Sequence, residues 1–196
     1  MSRIATVERK TAETRITITL DLDGTGKFVT ETGIGFFDHM VSHIAKHGVF
    51  DLEMRATGDL HIDQHHTIED CGIALGEAFA QALGDKAGLV RAGHSYMPLD
   101  EALAFAAVDL SGRPYAALDL KLHGREVGGF APDLLNHFLE SFTFALKAAI
   151  HITVLSGVND HHKAEAAFKA LARALDAATR IDPRRGGDVP STKGSL

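Results

Sequence analysis

Two copies of one short motif constrain this chain more than anything else in its sequence. His65-His66-Thr67-Ile68-Glu69 and His161-His162-Lys163-Ala164-Glu165 both read His-His-x-x-Glu, offset by 96 residues from 65 to 161. A lone histidine precedes each copy, His39 and His137, offset by 98 from 39 to 137. Two nearly equal offsets predict an internal duplication, because a repeated unit keeps its spacing. One copy alone would read more naturally as surface or helix-capping histidines. A duplicated structural segment has no need to keep eight polar residues in equivalent places, so the pair points to metal binding.

Hydrophobic periodicity places these residues on elements. Ile16, Ile18, Leu20 and Leu22 alternate as in a half-buried strand over 14–23, turned by Gly24-Thr25-Gly26. Phe36, Phe37, Met40, Val41 and Ile44 recur at helical spacing over 35–46, with Gly48 as the stop. A strand at 50–56 and a helix at 67–83 complete the first half. In the second, strands are predicted at 94–99, 102–110, 115–122 and 150–155, and helices at 133–147 and 162–179. Short turns between strands predict antiparallel pairing with helices packed on one face of the sheet, an α+β architecture of two β-rich half-domains. The expected units are 1–92, 93–182 and a C-terminal tail, 183–196.

Composition removes other classes. With 45% hydrophobic and 23% charged residues the chain is neither disordered nor fibrous. The longest apolar stretch, 142–158, is broken by Lys147 and His151 and is too short to cross a bilayer, so no membrane partner is expected. A net charge of −6 without a basic stripe argues against nucleic acid. An anionic small ligand remains open, since a few local cations decide that. The absence of a signal-like start and the single cysteine, Cys71, predict a cytoplasmic protein.

Helical geometry then sorts the histidines. Residues four apart share a face while neighbours diverge by about 100°. His65 faces with Glu69, and His161 with Glu165, whereas His66 and His162 must look elsewhere. If the halves pack about a pseudo-twofold axis, one cluster is His65, Glu69, His137 and His162, and the other is His161, Glu165, His39 and His66. Glu69 also lies three from His66, which leaves its allocation open, and Asp70 is given a supporting role. Three imidazoles and a carboxylate without thiolate suit manganese, iron or zinc. Two positions would stay open on an octahedral ion for substrate. His43, His61, His94, His123 and His151 lack such pairing and read as structural, with His47 a partial exception two turns from His39. Lys169 shares the Glu165 face and could meet an anion. Arg91 and Arg113 could meet a phosphate, as could the tail Pro190-Ser191-Thr192-Lys193-Gly194.

Several segments in order carry a resemblance. They are Gly33-Ile34-Gly35-Phe36-Phe37-Asp38-His39-Met40, His65-His66-Thr67-Ile68-Glu69-Asp70, Asp109-Leu110-Ser111-Gly112-Arg113-Pro114, Asn159-Asp160-His161-His162 with Glu165 and Phe168-Lys169-Ala170, and Ser191-Thr192-Lys193-Gly194. Together, from about Arg9 onward, they resemble the imidazoleglycerol-phosphate dehydratase family. Ser42-His43 departs from the more usual Asp-Gln and leaves the ligand positions untouched.

The resemblance implies a duplicated, ribosomal protein S5 domain 2-like fold and two Mn(2+) ions per active site. It also implies a homo-oligomer, an octahedral 24-mer with interfacial sites. One ion would fall to His39, His66, His161 and Glu165, the other to His65, Glu69, His137 and His162. Substrate contacts would fall on Glu13, His39, His47, Arg91, Arg113, Lys169, Ser191, Thr192 and Lys193, and catalytic carboxylates on Glu13, Glu69 and Glu165. The implied substrate, a phosphorylated imidazole, loses a hydroxyl beside its ring and a proton that no carbonyl acidifies. Holding the ring as imidazolate would expel the hydroxyl through a diazafulvene, and proton loss would give an enol that becomes the ketone. A two-metal phosphoesterase and a non-enzymatic metal-binding protein are the competing readings. The first would release inorganic phosphate, and the second would not need the arginines or the tail.

Overall fold

Alternating burial builds the first sheet. In β1 (Ile4–Lys10) Ala5 and Val7 point inward, and in β2 (Thr14–Asp21) Ile16, Ile18 and Leu20 do. β3 (Phe28–Glu31), α1 (Gly35–Gly48), β4 (Asp51–Gly58) and α2 (His65–Leu83) follow. The same succession then recurs as β5 (Ala92–Leu99), β6 (Ala102–Asp109), β7 (Tyr115–Asp119), α3 (Asp133–Leu146), β8 (Ala149–Ser156) and α4 (Asp160–Thr179). This is a computed structural model, and it describes residues 3–123 and 126–194. The two four-stranded sheets have matching orders, β1-β2-β4-β3 and β5-β6-β8-β7.

Not every strand pair is antiparallel, as the sequence had led us to expect. β3 runs parallel to β4, and β7 parallel to β8. The cause is topological: a whole helix, α1 or α3, separates the members of each pair, and a crossover of that length returns the chain in the same direction. Sequence periodicity also misses β1 and β3. The four residues of β3 show no inward–outward alternation to detect.

The halves join through their helices, α2 against α3 and α1 against α4, while each sheet keeps its own helices on one face. Phe37, Phe138, Phe142 and Phe168 meet there, fully buried, with Phe37 and Phe138 ring centroids 5.0 Å apart. Burying each such ring contributes about 1.5–3 kcal/mol. The α2–α3 contact is close enough to require glycine. A Cβ on Gly76 would lie 2.6 Å from the carbonyl oxygen of Phe142, and one on Gly72 would lie 2.7 Å from that of Phe138. Among the described residues, no helix is long and apolar enough to cross a membrane.

Candidate metal centres and substrate-binding residues

Helix starts carry the histidines. α2 begins at His65 and α4 at Asp160, both slightly earlier than periodicity indicates, so each His-His pair occupies a first turn. Asn159 caps α4, its side chain accepting from the backbone N–H groups of His161 and His162. α1 packs against α4 and thereby brings His39 to the start of the latter.

The first cluster centres on Glu165. His39 Nε2 and His161 Nε2 each lie 3.2 Å from its Oε2, and His43 Nε2 lies 3.5 Å from its Oε1. Lys169 Nζ is 2.5 Å from the same Oε1. Burial pushes the Glu165 carboxyl up, but the Lys169 hydrogen bond, the His43 and Lys169 charges and the His39 contact outweigh it and hold it at about 2. Burial lowers His43 to about 4, and its Nε2 has no hydrogen-bond partner. The rings of His39, His43 and His47 follow one another along α1 at centroid separations of 4.5 and 5.5 Å.

The second cluster is His65, Glu69 and His137, whose ligand atoms lie within 4.8 Å of one another. The His65 and His137 rings are 4.2 Å apart, and His137 Nε2 is 3.8 Å from Glu69 Oε2. That nitrogen is buried without a hydrogen-bond partner, an atom a metal ion would satisfy. The donor set of both clusters, imidazole and carboxylate without sulfur, fits a borderline-to-hard divalent ion.

Each cluster gathers three of the four residues expected for it, and the fourth lies elsewhere. His66 Nδ1 is 2.9 Å from Asp59 Oδ2, and Glu13 Oε2 is 3.7 Å from the same nitrogen. His162 Nδ1 is 2.8 Å from Glu101 Oε2. Each imidazole is raised by the carboxylate it bonds, His66 by Asp59 and His162 by Glu101. Asp70 is buried and accepts from the Arg9 guanidinium and the Thr14 hydroxyl, tying α2 to the first hairpin.

The candidate phosphate contacts collect at the other end of α4. Arg91, in the left-handed region (φ 79°), bonds both oxygens of Asp109 at 2.7 and 3.0 Å and donates to the Pro190 carbonyl at 2.7 Å. Its own N–H reaches the carbonyl of Ala178 in the last turn of α4. Arg113 lies on the turn beyond Ser111 and donates to the Ser111 carbonyl. Lys193 N–H donates to Ser191 Oγ, which closes the tail around Thr192. Thirteen helical residues, about 20 Å, separate Ala178 from Glu165.

Sequence reasoning did not single out Asp59 and Glu101, and it read His43 as structural. His43 had a signal, its i+4 spacing from His39. Glu101 had one too, since it immediately precedes β6 as Glu13 immediately precedes β2.

Fold and side chains together define a duplicated α+β protein with paired histidine–carboxylate centres suited to divalent ions. Residues 32–175 match the imidazoleglycerol-phosphate dehydratase sequence family. The imidazoleglycerol-phosphate dehydratase of Chloroflexus aggregans is 56% identical over 195 residues, covering 100% of this chain and 95% of that protein. The same-named protein of Roseiflexus is 55% identical, covering 100% and 98%. Among solved structures, the Staphylococcus aureus imidazoleglycerol-phosphate dehydratase superposes with a TM-score of 0.83 at 34% identity, covering 91% of this chain and 99% of that one. The chain belongs to the imidazoleglycerol-phosphate dehydratase family.

Proposed function

We propose that this chain is a manganese-dependent hydro-lyase that removes water from D-erythro-imidazole-glycerol phosphate to give imidazole-acetol phosphate, a step of histidine biosynthesis in the cytoplasm. Two Mn(2+) ions per active site, in a homo-oligomeric, octahedral 24-mer with interfacial sites, complete the reading. The observation that carries it is that neither cluster holds all four residues expected for one ion: Glu165 meets His39, His43 and His161, and Glu69 groups with His65 and His137, while His66 and His162 present imidazoles outside them on Asp59 and Glu101.

The length of α4 supports assembly independently. Arg91 and the tail stand about 20 Å along the helix from Glu165, too far for one small phosphorylated imidazole to touch both within a chain. A neighbouring copy would bring the phosphate contacts of one chain to the ligands of another.

When bound, the ions would polarise the imidazole ring and stabilise the charge that develops as the hydroxyl departs. Arg91, Arg113, Ser191, Thr192 and Lys193 would grip the phosphate and fix the substrate's orientation. Lys169, paired with Glu165, and His47 would line the substrate's approach along α1 and α4. Glu13, exposed on the first hairpin 3.7 Å from His66, would take the proton from the carbon next to the leaving hydroxyl. Glu69 and Glu165 act as carboxylate ligands.

The test is direct. Purified protein is analysed for metal and incubated with imidazoleglycerol phosphate while ketone and inorganic phosphate are both followed. Ketone without phosphate release is expected. Phosphate release without ketone would mark a two-metal phosphoesterase, and metal with neither product would mark a binding protein.

A further inference from the structure

His66 and His162 share a feature that their spacing does not require. Each is bonded through Nδ1 to a carboxylate of its own chain, Asp59 at 2.9 Å and Glu101 at 2.8 Å. A carboxylate only accepts, so the shared proton sits on Nδ1 and the single lone pair of each ring is on Nε2.

The two carboxylates come from different places, and the duplication explains how. Glu101 precedes β6 at the tip of the β5–β6 hairpin, the position that Glu13 holds before β2 at the tip of the β1–β2 hairpin. In the second half the hairpin carboxylate orients the histidine. In the first half Asp59, the residue after β4, has taken that contact, and Glu13 stands off at 3.7 Å. The residue after β8 is Gly157, where a Cβ would lie 2.7 Å from the Lys163 side chain and φ is +139°. No side chain fits there, so the second half must use its hairpin.

We propose that Asp59 and Glu101 are positioning residues that lock His66 and His162 as Nδ1–H tautomers and aim Nε2 at an ion whose other ligands come from a different copy of the chain. Asp59 thereby frees Glu13 for proton transfer. This rests on the metal-centre reading above. Partners of this kind on metal-bound histidines are typically worth 10- to 100-fold in metal affinity.

The variants Glu101→Gln and Asp59→Leu give the test with shape nearly kept, since the leucine can accept nothing from His66 Nδ1. In Glu101→Gln the amide oxygen can still accept from the Val158 and Asn159 backbone N–H groups, which now bond Oε1. The NH₂ group then faces His162 Nδ1, donates to it and moves the ring proton to Nε2, which removes the lone pair the ion needs. Titration of metal-free protein with manganese(II) alone should show a 10- to 100-fold weaker affinity in each variant, with the metal-free melting temperature unchanged. Unchanged affinity would overturn the proposal. So would a loss of affinity matched by a fall in the metal-free melting temperature, since that marks a structural role. If the unmutated chain bound no manganese, the metal-centre reading itself would fall along with this one.

Discussion

His43 shows how one side chain's surroundings set its behaviour. An imidazole that protonates near 6.5 in the unfolded chain but only near 4 when folded favours the unfolded state as pH falls between those values. His43 therefore disfavours folding of the metal-free protein between pH 7 and pH 5, against His66 and His162, whose raised imidazoles act in the opposite direction. His43→Gln should raise the melting temperature at pH 5 relative to that at pH 7, compared with the unmutated chain. Legibility at this scale followed spacing. The residues of both clusters repeat at fixed offsets and share helical faces, so the sequence alone sorts most of them. Asp59 and Glu101 are single carboxylates in turns, and only the folded hairpins bring them to His66 and His162.

At the scale of elements, the tight α2–α3 contact makes Gly76 a test of packing against propensity. Alanine is the better helix former by about 1 kcal/mol. Its methyl would lie 2.6–2.8 Å from backbone atoms of Phe142 and Leu146, and overpacking of that kind costs about 1–3 kcal/mol. Gly76→Ala should lower the melting temperature despite its propensity. The tail makes the opposite prediction, for function and not folding. It is anchored by Arg91 through Pro190, so removal of residues 191–196 should abolish turnover while manganese still binds, read by assay and titration. Long periodic elements such as α1, α2 and α4 are visible in the sequence because their apolar stripes span several turns. β3 is not, since four residues carry too little pattern, and its parallel partner lies a whole helix away.

For the whole molecule, the proposed sharing of ligands predicts complementation. His39→Ala disables the His161–Glu165 cluster, and His66→Ala removes the imidazole expected from elsewhere; each variant alone should be inactive. Unfolded together and reassembled in equal amounts, they should recover activity, to at most roughly a quarter of the unmutated level if copies mix at random. No recovery would mean that one chain supplies all four ligands. The duplication itself is legible from two offsets in the sequence. The packing of the halves is not, because it depends on which helices meet and on glycines that let α2 approach α3.

The span of α4 has a consequence for how such a catalyst behaves in a cell or a tube. On the proposed function, a rigid rod that keeps the anion grip apart from the ion-binding end would make a lone polypeptide incompetent however well it folds. Catalysis then becomes a collective property: specific activity should collapse on dilution past the point where copies separate, and return when they are concentrated again.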